Sequence, residues 1–93
     1  MFFVVLVHYT APLEAVDAMR PAHIEHLEHH AREGVFHAWA RRDPPTGGVI
    51  VAAAPDRATL EAIVAEDPYV RAGVARAEIV GFNARNVRGA LRV

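Results

Sequence analysis

Four of the six histidines of this chain fall in one run, His23-Ile24-Glu25-His26-Leu27-Glu28-His29-His30, and the run reads as helix. Histidine titrates near neutrality and can both take and return a proton, so its placement decides what chemistry is available. At about 100° per residue, Val16, Ile24, Leu27 and Ala31 form an apolar stripe, and His23 borders it. His30 and His26 fall on the other side of His23, while Glu25, Arg32, Glu33 and His29 are on the opposite face. His23 is therefore the histidine that looks toward an apolar interior. His26 and His30 have the i, i+4 spacing that lets two imidazoles share a zinc ion. That pair has no assigned third ligand from another element, and helical histidine pairs are usually solvated surface. No metal ligand is expected. The second group of interest is Asp67, which precedes Pro68 and Tyr69 and taken alone reads as a turn or cap residue. Arg20, one turn before His23, is the nearest cation, and Tyr69, His8 and Tyr9 are candidate hydrogen-bond partners.

The composition narrows the partners. Ten basic residues against 11 acidic ones give a net charge of −1, which supplies no basic field for a phosphate backbone, so nucleic acid is not expected. Every basic residue is Arg, which excludes Schiff-base chemistry and a lysine-dependent phosphate loop. There is no cysteine, hence no disulfide, thiol nucleophile or cysteine-ligated zinc. Phe2 to Val7 is too short to span a membrane and lacks the flanks of a signal peptide, so a cytoplasmic protein is expected. With 93 residues of which 53% are hydrophobic, residues 1–93 read as one small domain that hides part of its apolar surface against another subunit.

The elements that must position these groups follow from the apolar spacing. Phe2-Phe3-Val4-Val5-Leu6-Val7 is apolar on both faces, as a central strand covered on both sides would be. Pro12 to Glu33 reads as helix, divided near Pro21 and stopped by Gly34. Val35–Ala40 and Gly48–Ala54 read as a hairpin around the Pro/Gly-rich turn 41–48. Pro55-Asp56 opens a second helix that runs to Asp67-Pro68, Tyr69 to Ala72 adds a further turn closed by Gly73, and Glu78–Phe82 is the last strand. The order βαββαβ is the ferredoxin-like α+β arrangement, an antiparallel sheet with both helices on one face. The bare face is where a second copy is expected to dock.

Arg20-Pro21-Ala22-His23, the Gly47-Gly48 strand start and Asp67-Pro68-Tyr69-Val70-Arg71-Ala72-Gly73-Val74 resemble the YCII-related family over nearly the whole chain. The resemblance implies a ferredoxin-like protomer in a dimeric α/β barrel, with a His and an Asp lining a cleft in each subunit; by position these are His23 and Asp67. It also implies small-molecule chemistry, one relative being a dehydrochlorinase of a chlorinated hydroxymuconate. Where many relatives have a small residue and Gly at the end of strand two, this chain has Trp39-Ala40-Arg41, which narrows or reshapes the pocket.

The expected function is acid/base chemistry on a small carboxylate or enol compound, without a cofactor. His23 is the proton carrier and Asp67 its orienter, with Arg20, Tyr69 and His8 binding substrate. The alternative is a non-catalytic module that binds a metabolite in the same cleft. A third reading, from other dimeric α/β barrel proteins, is a cofactor-free oxygenase or a haem enzyme, though no separate haem ligand stands out. The tail after Asn83, with Arg85, Arg88 and Arg92, is expected to cross onto a partner.

Overall fold

The structure, a computed structural model, describes residues 1–83 and residue 85. Its elements are β1 (Phe2–Tyr9), α1 (Leu13–Ala18), α2 (Arg20–Arg32), β2 (Phe36–Arg41), β3 (Gly47–Ala53), α3 (Arg57–Ala65), α4 (Pro68–Arg71) and β4 (Ala75–Phe82). The four strands form one antiparallel sheet in the order β2-β3-β1-β4, the ferredoxin-like arrangement that the order of elements predicts. The tail beyond residue 85 lies outside the described residues.

Local chemistry sets the helix boundaries. Pro21 sits in the first turn of α2, where a missing N–H costs nothing, and Met19 is the residue at which α1 ends and α2 begins. Asp56 caps α3 by accepting from the Thr59 N–H at 2.7 Å. Gly34 and Gly73 follow α2 and α4 with φ of +81° and +72°, the left-handed conformation that releases a chain from a helix. β4 begins at Ala75, three residues before the predicted start at Glu78. Ala and Arg are weak strand formers, but Ala75, Arg76 and Ala77 pair with Tyr9, His8 and Val7, and pairing overrides propensity.

β1 is bonded on both sides and divides the molecule into two environments. Phe3, Val5 and Val7 point to the helices and are at most 3% exposed, packing with Val16, Leu27, Leu60 and Tyr69. The alternate residues Phe2, Val4 and Leu6 point the other way, beside Val49, Val51, Val80 and Phe82 on the neighbouring strands. That face is apolar and uncovered in the protomer: Phe2, Val80 and Phe82 are all about 40% exposed. No described helix is long and apolar enough to cross a membrane.

The histidines at the C-terminal end of α2 depart from the expectation of a solvated pair. His30 is only 8% exposed, and both it and the half-buried His26 lie edge-on against Phe36 of β2, with ring centroids 5.5 and 5.9 Å away. A helical wheel finds the stripe that faces the sheet centre; here the edge strand covers the flank beside it. Burial is the leading influence on His26, which is held below the ordinary histidine range. Asp67 and Glu66 oppose that effect, while His30 and His23 add to it.

Two outcomes follow. A Cβ at Gly47 would lie 1.9 Å from the Val7 carbonyl oxygen, so Gly47→Ala must push β3 away from β1. It is expected to cost about 3 kcal/mol in chemical denaturation. His26, neutral in the folded state and more basic when unfolded, contributes stability above its unfolded value near pH 6.5, and that contribution is lost as pH falls through its lower folded value. His26→Gln should flatten the decline in stability below pH 6.5; superimposable pH profiles for variant and wild type would count against this account.

Candidate functional site

Two helix starts converge on the helix-covered side of the sheet. The first turn of α2 carries Arg20 and His23, and the cap of α4 is Asp67. Because Pro68 follows, the Asp67 backbone is extended, at φ −56° and ψ 127°, and its side chain is free to fold back over the helix start. Oδ1 accepts the Tyr69 N–H at 2.9 Å, and the same oxygen lies 2.8 Å from His23 Nδ1. His23 is 9% exposed and Asp67 3%, so this contact is made out of water.

An ionised carboxylate is only an acceptor, so the Nδ1 position must carry the proton and Nε2 is left as the second functional nitrogen. Nε2 has no hydrogen-bond partner among the described residues, and His23 lines a pocket. The Tyr69 ring stacks on the imidazole with centroids 3.8 Å apart and planes 10° from parallel, which fixes the ring about its own axis. One carboxylate thus orients the imidazole at its edge and one phenol at its face. Burial, then the neighbouring Tyr9, pushes the Tyr69 phenol above its ordinary range, with Arg41 and Arg20 partly offsetting them.

The pocket lies between α2 and the ends of β1, β2 and β3. It is a small cleft open to solvent, and its polar lining comes from Tyr9, Arg20, His23, Arg41 and Tyr69. Arg20 lines it with an exposed side chain and has no carboxylate partner among the described residues. Trp39 and Ala40 line it too, so the bulky residue singled out in the sequence does face this space.

Of the residues named from the sequence, His23, Asp67, Tyr69 and Arg20 come together and His8 does not. Strand residues alternate between faces, so Val7 and Tyr9 look into the pocket while His8 looks across the open face, where its Nε2 meets Glu78 Oε1 at 3.1 Å. His8 is therefore corrected from a pocket residue to a residue of the uncovered face.

Sequence reasoning missed Arg41. Its guanidinium bonds Asp17 of α1, donates from Nε to the Tyr9 hydroxyl at 3.1 Å and sits 5.6 Å from the Tyr9 ring centroid. The bond to Asp17 is the main reason its charge is held more firmly than that of an ordinary arginine. Arg41 is two residues after Trp39 and so shares its face, a signal hidden by reading residue 41 as the start of the turn.

No curated protein matches the chain. Among solved structures, the fold is similar to that of 5-chloro-2-hydroxyhydroquinone dehydrochlorinase (TftG) from Burkholderia phenoliruptrix AC1100, solved in complex with 2,5-dihydroxybenzoquinone. The TM-score is 0.75 at 17% identity, over 89% of this chain and 94% of that one. By its name that dehydrochlorinase acts on a chlorinated hydroxyhydroquinone, not the hydroxymuconate that the resemblance suggested. The fold is also similar to that of an antibiotic biosynthesis monooxygenase, with a TM-score of 0.60 at 24% identity, over 92% of this chain and all of that one. The YCII-related domain model matches residues 1–83, which takes in every element from β1 to β4, and the chain belongs to the YCII-related family.

Proposed function

We propose that this protein is a small-molecule enzyme that uses His23 as general acid/base and Asp67 as its orienter. The substrate class is a small carboxylate or an enolic, hydroxylated ring compound. The observation that carries the reading is the buried 2.8 Å contact between His23 Nδ1 and Asp67, which leaves Nε2 to the pocket. A proton on substrate carbon or oxygen passes to Nε2 while the substrate retains the electron pair as an enolate or expels a leaving group such as halide. Asp67 stabilises the imidazolium that forms, and the proton returns to product or to water. Arg20 supplies positive charge for the substrate's carboxylate or enolate oxygen. Tyr69 holds the imidazole plane, and Trp39 restricts the depth available to substituents. No step calls for a cofactor.

The assembly that fits this reading is a homodimer joined through the uncovered sheet faces. Phe2, Val4, Leu6 and Val80 present a contiguous apolar surface of the kind a monomer seldom leaves in water.

The dyad is tested with a panel of halogenated hydroquinones, dihydroxybenzoquinone and small enolic acids, following product formation and halide release. His23→Gln should lower turnover by about 10²- to 10⁴-fold with the fold intact by circular dichroism. Asp67→Asn should give a similar loss, together with a nitrogen NMR spectrum in which the Nε2–H tautomer of His23 gains population. Saturable binding without turnover, unaltered by either change, would instead identify a binding module. For the assembly, Leu6→Arg should convert the species seen by light scattering from dimer to monomer. A wild-type monomer at micromolar concentration would refute the sheet-face dimer.

A further inference from the structure

A second cluster of imidazoles lies at the other end of α2, and none of its members lines the pocket that contains His23. On a helix at about 100° per residue, Glu33 projects between His29 and His30, about 40° from the first and 60° from the second. The structure brings the three together accordingly: Glu33 Oε1 is 3.4 Å from His29 Nε2 and 3.2 Å from His30 Nδ1, and the three atoms lie within 4.8 Å of one another. We propose that His29, His30 and Glu33 form a binding site for a divalent transition-metal ion, zinc in the first instance.

Three observations carry this. His30 is 8% exposed and its Nδ1 is buried without a hydrogen bond; Glu33 lies close but is not aligned to accept. A buried imidazole nitrogen left unpaired costs free energy that a ligand bond would recover. Next, in a tetrahedral ion with bonds of 2.0–2.1 Å, ligand atoms sit about 3.3 Å apart, which the carboxylate already satisfies toward both imidazoles. Finally, the cluster occupies the last turn of α2, where the carbonyl end of the helix dipole favours a cation.

Two imidazoles and a carboxylate suit zinc better than magnesium or calcium, which prefer oxygen. His29 and Glu33 are more than half exposed, so the ion has an entry path. His30 is fixed by packing against Phe36 and is the rigid member. The set supplies three ligands, so a fourth position stays open to water or to a donor from another molecule.

The test is zinc titration of the untagged full chain in competition with a chromophoric chelator, with cobalt(II) substitution as a spectroscopic probe. The expected result is one zinc ion per chain, weakened at least about tenfold by Glu33→Gln and by His29→Gln, together with the intense visible absorption of four-coordinate cobalt. Both substitutions are on exposed side chains, so the result does not depend on tolerance of a change at buried His30. Zinc affinity unchanged in both variants, affinity that follows His23→Gln instead, or no stoichiometric binding would overturn the assignment.

Discussion

The buried carboxylate of Asp67 is the interaction on which the pocket depends. A carboxyl group 97% removed from solvent needs hydrogen-bond partners, and here one oxygen, Oδ1, has two: the N–H that starts α4 and the imidazole of α2. That oxygen ties the second half of the chain to the first, joining residues 44 positions apart. The pairing makes helix capping and imidazole orientation one requirement. Removing the carboxylate loosens a helix start and frees an imidazole together, and so does breaking the extended backbone that Pro68 imposes before the helix.

The arginines of the pocket divide their roles by partner. Arg41 is bound to Asp17 and to the Tyr9 hydroxyl, so its charge is already answered by the protein, and it braces α1 against the ends of β1 and β2. Arg20 lines the same pocket and has no carboxylate partner among the described residues. Between them the imidazole is held by an edge contact and a face contact, leaving it one free direction. Such a group is fixed in place by the protein alone, without a moving part.

Much of this was legible in the chain itself. The apolar runs gave the four strands and the main helices because a residue's side of a sheet or helix follows from its spacing, and the same rule put His23 beside the apolar stripe. Its partner Asp67 lies far away in sequence and was reached through the family resemblance, since spacing speaks only within one element. Three features do not follow from spacing within one element. His30 is buried by an edge strand that the wheel of α2 does not contain. The start of β4 is held by pairing against its own residue preferences. Arg41 was hidden by a strand end misplaced by one residue. In each case the deciding neighbour belongs to another element.

The position of β1 has a consequence for how the protein comes into being. It is one of the two inner strands and the first to be synthesised of the four, yet both neighbours are made much later: His8 waits for Glu78, 70 residues on. Until β3 is made, a run of six apolar residues, Phe2 to Val7, has no strand to pair with, and α1 and α2 can offer it only partial cover. During translation this segment is the part of the chain most open to chaperones or to a neighbouring nascent chain. The topology that later bonds it on both sides is also what delays its protection.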